Sequence, residues 1–138
     1  MSLITQRKES RAIEQGIRDL RATGTVLGLP YYLALKAKAL HLADRTPEAL
    51  KAIIEAEALA ERIEQRSVFS LLHLLRGVFL TAMDAEETKI EASLCAAIRT
   101  AKEQKSVSPE KRAEATYAEY HRQKASGSVG HGFRLPLW

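Results

Sequence analysis

At 138 residues, with 46% hydrophobic and 28% charged side chains, the chain has the size and balance of one domain that buries its own core. Aromatic residues make up only 6%, while Ala, Leu, Glu, Lys and Arg dominate, so helix is favoured and a sheet is poorly supplied. The net charge of +4 argues against a coherent nucleic-acid surface, because 21 basic residues interleave with 17 acidic ones at helical spacing and give solvated faces.

Cys95 is the single cysteine, which excludes an internal disulfide and any cysteine-rich metal motif. The stretch from Met1 to Arg11 has no apolar signal core, and the most apolar run, Val68 to Met83, is short for a bilayer and holds Ser70, His73 and Arg76. The expectation is a cytoplasmic protein with no membrane partner.

Six helical segments follow in chain order. The first is predicted from about Thr5 to Thr23, on Ile13, Ile17, Leu20 and Leu27, and is closed by Gly24 and Gly28-Leu29-Pro30. The second covers Tyr31 to Ala43, with Leu33, Ala37 and Leu40 on one face. After Asp44-Arg45, Thr46 is expected to cap a third helix that has Pro47 in its first turn and runs to about Gln65. Its inner stripe is Ala49, Ile53, Ala56, Ala60 and Ile63, with Glu55, Glu57, Glu61 and Arg62 turned to water. The fourth, Ser67 to Met83, is apolar nearly all round and so wants neighbours on several sides. Asp84 is expected to cap the fifth helix, which runs to about Lys105 on Ile90, Leu94, Ala97, Ile98 and Ala101. Ser108-Pro109-Glu110 is expected to open the sixth, with Ala113, Tyr117 and Tyr120 inward. The helical domain thus spans 1–125, and 126–138 read as a Gly/Ser linker and an apolar tail, Phe133 to Trp138.

Two helix pairs echo each other. Leu35-Lys36-Ala37 returns 40 positions later as Leu75-Arg76-Gly77, and Ala56 and Ala60 return 41 positions later as Ala97 and Ala101. Small residues at fixed places in a recurring hairpin are what a helical solenoid needs where one helix crosses the next. Glycine within a helix costs about 1 kcal/mol relative to alanine, so Gly77 implies close packing there, and a leucine in its place should overpack the crossing.

The pattern resembles the tetratricopeptide (TPR) family, with Ala37 and Gly77 at the small position of the first helix and Ala49, Ala56 and Ala97 at those of the second. The period is longer than that family's usual 34 or so residues, and Ile90 stands where an alanine is usual. More closely, the runs Ala22-Thr23-Gly24, Leu29-Pro30-Tyr31-Tyr32-Leu33-Ala34-Leu35 and Ala43-Asp44-Arg45-Thr46-Pro47-Glu48-Ala49-Leu50 resemble the C-terminal TPR region of bacterial STAND-type signalling ATPases. So do Leu72-His73-Leu74-Leu75-Arg76-Gly77 and the closing Gly132 to Trp138. These ATPases are often fused to an adenylate/guanylate cyclase or a DNA-binding output domain. The resemblance implies an all-α, right-handed stack of antiparallel hairpins, about two and a half repeats, that binds protein. The ATPase and cyclase chemistry of that family lies in other domains, and no G-x-x-x-x-G-K-[ST] loop occurs here.

Candidate chemistry is thin. His41, His73, His121 and His131 have no spacing that converges on a metal, and Cys95 has no base identified beside it. The carboxylates Glu55, Glu57, Glu61, Glu86, Glu87 and Glu91 lie among polar neighbours, where nothing would desolvate a general acid. No enzyme activity, cofactor or metal is expected.

Carried over by position from the TPR family, a concave binding face would be lined by Tyr31, Ala34, Lys38 and His41, then Leu71, Leu74 and Val78, then Arg112, Glu119 and Arg122. Lys38, Arg112 and Arg122 are the cations there that could hold a carboxylate. The bland alternative is that Leu71 and Leu74 are plain core and the cations only solubilise. The ends of the array suggest self-association through uncapped faces, unless the apolar tail folds back as a cap. The function expected is a non-enzymatic protein-interaction scaffold or sensor in bacterial signalling. The rivals are a truncated remnant of a cyclase/ATPase regulator and a weak nucleic-acid binder.

Overall fold

The structure, a computed structural model, describes residues 3–22, 28–127 and 135. It is all-α, with no strand among the described residues: α1 (Leu3–Ala22), α2 (Leu29–Leu42), α3 (Thr46–Arg62), α4 (Phe69–Ala82), α5 (Glu87–Glu103) and α6 (Val107–Ala125). A short 3₁₀ turn, Arg66–Val68, precedes α4. The predicted end of the first helix at Thr23, Leu27 of its stripe, and all of the apolar tail except Leu135 lie outside the described residues. Leu135 is buried.

The chain forms two compact units, Met1–Val68 and Phe69–Trp138. In the first, α2 packs against both α1 and α3; in the second, α5 packs against both α4 and α6.

The hairpins bury repeating stripes. In α2 the stripe is Pro30, Ala34, Ala37 and His41, and 40 positions later in α4 it is Ser70, Leu74, Gly77 and Thr81. In α3 it is Ala49, Ala52, Ile53, Ala56 and Ala60, and 41 positions later in α5 it is Ile90, Ser93, Leu94, Ala97 and Ala101. Helix α6 repeats the spacing of the first kind, with Ala113, Thr116 and Tyr120 buried and Pro109 half-buried. Thr116, and not the predicted Tyr117, therefore takes the inward place. Tyr117, on the other flank of the line from 113 to 120, is half-buried beside Cys95 and Glu91 of α5.

Gly77 meets the expectation of close approach. A Cβ built there would stand 2.5 Å from Leu94 Cδ2 and 2.9 Å from Leu94 Cγ, so only glycine fits while Leu94 keeps its place. Ser70 Oγ donates to the Ala97 carbonyl at 3.0 Å, a second tie between α4 and α5. The Ile63 of the predicted third-helix stripe is only half-buried, beyond the helix end.

All three predicted caps stand elsewhere, for one shared reason. Helices α2 to α5 each end in a Schellman turn, in which a residue in the left-handed region closes the last carbonyls. Those residues are Asp44 (φ 62°), Glu64 (φ 56°), Asp84 (φ 59°) and Lys105 (φ 55°). In α4, for example, Asp84 N–H donates to Thr81 O at 3.1 Å and Ala85 N–H to Leu80 O at 3.0 Å. Asp84 thus closes α4 instead of capping α5, whose N-cap is Glu86. After Asp44, Arg45 takes the N-cap of α3 and Thr46 is already helical. After Lys105, Ser106 is the N-cap of α6, and Ser108 falls inside its first turn. None of these N-cap side chains makes a capping bond to its helix, although Arg45 pairs with Glu48 in the first turn of α3.

Candidate functional site

The residues expected to line a binding face fall on both units. In the first, Tyr31 stands half exposed at the start of α2, edge-on to Tyr32 with ring centroids 6.3 Å apart. Lys38 is half-buried and Ala34 is fully buried. His41 is 2% exposed, and its Nδ1 lies 2.9 Å from the buried Thr46 Oγ1. That bond ties the end of α2 to the start of α3, which makes His41 a core residue and removes it from any surface. The expectation of His41 as a lining residue is corrected accordingly: it lies on the same stripe as Ala34 and Ala37, facing α3.

In the second unit, Leu74 and Val78 are buried and Leu71 is half-buried, so only Leu71 of the three offers surface. Arg112 and Arg122 are exposed on α6 but stand ten residues apart, about 15 Å along the axis. Arg122 is engaged by its own helix: Nε donates to Glu119 Oε2 at 2.8 Å and Nη2 to Oε1 at 2.6 Å. Gln123 Nε2 adds a bond to the same carboxylate at 2.7 Å. Those donors hold the Glu119 carboxyl at about 2, well below the usual carboxylate range. The guanidinium and the carboxylate thus satisfy each other, and neither presents a bare charge.

Sequence reasoning passed over a cluster between α5 and α6. The Tyr117 hydroxyl bonds the exposed Cys95, and that contact, with partial burial and the nearby Glu91, pushes the phenol up to about 12. The Tyr117 ring meets His121 edge-on, centroids 4.5 Å apart, and His121 Nε2 lies 3.2 Å from Glu91 Oε1. Lys124 pairs with Glu87 at the next turn. A phenol held that high stays protonated at neutral pH and so cannot take the thiol's proton. These contacts dock one helix on another. Four-residue steps join 87, 91 and 95 on α5, and steps of four and three join 117, 121 and 124 on α6, yet only the packing of the two helices, invisible in either alone, brings the groups together.

Among the described residues no three His, Cys, Asp or Glu side chains group to hold a metal ion, and no helix is long and apolar enough to cross a membrane. A hollow of about 190 Å³ lies between α1 and α2, and a shallower apolar depression lies on α5 around Cys95 and Ile98.

The class that the fold defines is an all-α protein of packed helices. No family model, curated protein or solved structure matches the chain.

Proposed function

We propose that the chain is a non-enzymatic, TPR-like interaction module of bacterial signalling, a short right-handed stack of hairpins that binds a protein partner. The observation that carries the reading is the stripe repeated in α2, α4 and α6, answered by the stripe repeated in α3 and α5. A chain that repeats its hairpins in this way builds surface by addition. The resemblance to the TPR region of STAND-type ATPases supports placing it in signalling.

The test is capture followed by reconstitution. The full-length chain serves as bait in cells of its source, and the captured protein is then purified and titrated in a calorimeter. Saturable binding at a fixed stoichiometry is expected; failure of every captured protein to bind when purified would overturn the reading.

A further inference from the structure

We propose that the C-terminal segment docks through Leu135 on the face of α6 that holds Ala113, Thr116 and Tyr120, taking the place that the second helix has in the two earlier hairpins. This contact lies within one chain and holds whether or not the chain binds a partner.

The repeat marks the face. In α2 the buried stripe reaches α3 through His41 and Thr46, and in α4 it reaches α5 through Ser70 on Ala97 and Gly77 on Leu94. Helix α6 carries the stripe again, with Ala113, Thr116 and Tyr120 all 0% exposed. Yet among the described residues no helix follows α6. Helix α5 accounts for the other flank, where Tyr117, His121 and Lys124 meet its Cys95, Glu91 and Glu87. Thr116 stands about 100° round the helix from Tyr117, and α4 meets α6 only slightly. The Thr116 flank therefore calls for a cover of its own. Thr116 Oγ1 donates to the Arg112 carbonyl at 3.0 Å, so its one side-chain donor is satisfied within the helix and the cover has to be apolar.

The chain supplies that cover. Gly127, at φ 77°, closes α6 with its N–H on Lys124 O at 3.1 Å. This is the same left-handed turn that returns the chain from α2 to α3 and from α4 to α5. Leu135 follows eight residues later and is buried. Eight residues reach at most about 26–29 Å, whereas Thr116 lies eleven residues before Gly127, about 16 Å along the axis. Leu135 can therefore reach the face of its own α6 without help from a second copy. It lies outside any helix, as expected of a residue before Pro136, so the cover is an extended segment and not a seventh helix. From Phe133 to Trp138 the sequence is apolar except for Arg134, which suits the face. Whatever displaces the segment has to present an apolar side chain to the same three residues.

The experiment is thiol reactivity toward dithionitrobenzoate on the full chain in a Cys95→Ser background. Thr116→Cys reports the face, and Ala97→Cys, wholly buried between α4 and α5, reports the core of the same unit. Both thiols should react slowly in the parent. Leu135→Asp should speed the Thr116→Cys thiol about tenfold or more and leave the Ala97→Cys thiol slow, because only the cover opens. Leu135→Ala should act in the same direction more weakly, and Ala113→Cys serves as the reporter if circular dichroism shows that Thr116→Cys does not fold. An unchanged rate on the α6 face with Leu135→Asp would overturn the proposal, since another element would then cover it. Equal acceleration of both thiols would also overturn it, since Leu135 would then belong to the general core. Light scattering shows whose Leu135 is involved. A monomer with protection independent of protein concentration is expected; a dimer whose face loses protection on dilution would assign the cover to a second copy and overturn a contact within one chain.

Discussion

At the same crossing point the α2–α3 hairpin carries Ala37 and the α4–α5 hairpin carries Gly77, both fully buried. Around them the two hairpins are filled differently. The first sets Leu33, Ile53 and Leu59 among alanines, with the buried His41–Thr46 bond, and its Ala39 borders a hollow towards α1. The second is filled by Leu72, Leu74, Leu75, Phe79 and Leu94, with glycine at the tightest place. Each large apolar side chain contributes about 1.5–3 kcal/mol on burial, against about 1 kcal/mol for a buried hydrogen bond. One hairpin pattern is thus filled in two ways, with more of the bulk in large side chains in the second unit and more alanines in the first.

Changes at equivalent positions should split the two. The largest effect is expected at Phe79, where truncation to alanine should cost about 3–5 kcal/mol in urea unfolding. Its counterpart Ala39→Phe should cost less than about 1 kcal/mol, since the ring enters existing space; equal losses would erase the distinction. Next is Thr46→Val, which keeps shape and removes the partner of His41 Nδ1. We expect a loss of about 1–3 kcal/mol by thermal unfolding.

A smaller effect, of opposite sign, is expected at the left-handed turns. Lys105→Gly should raise stability by about 0.5–1 kcal/mol, because a lysine pays a steric penalty there that glycine does not. Asp84→Gly should gain less, since a short polar side chain tolerates that conformation better. The smallest effect concerns pH. The Glu119 carboxyl is lowered from 4.5 to about 2, so its stabilising contribution is full above about 4.5 and is lost as pH falls through about 2. Glu119→Gln should therefore flatten the fall in melting temperature across that window, slightly, because the group is exposed and solvent-screened.

The helices, their order and the repeat were legible because apolar periodicity and recurring small residues are written along the chain. Gly77 announced the α4–α5 contact from sequence alone. The turns were not legible. A Schellman turn is usually marked by glycine, and here Asp44, Glu64, Asp84 and Lys105 stand in that place. Their neighbours Thr46 and Ser108, each beside a proline, carry the look of helix starts one or two residues late. The expected lining was legible only by analogy. His41 and Leu74 turned inward because the face assigned to a partner is partly the face that meets the second helix of the same hairpin. The hollow was not legible at all, since it depends on which small residues of α1 and α2 meet.

The account rests most heavily on small residues placed where paired helices cross, and a double-mutant cycle at Gly77 and Leu94 tests this directly. Gly77→Ala alone should lower stability by about 1–3 kcal/mol, the steric cost outweighing the gain of about 1 kcal/mol in helix propensity. In a Leu94→Ala background the same change should be neutral or stabilising, because the atoms it strikes are gone. An identical effect of Gly77→Ala in both backgrounds would contradict the crossing described here.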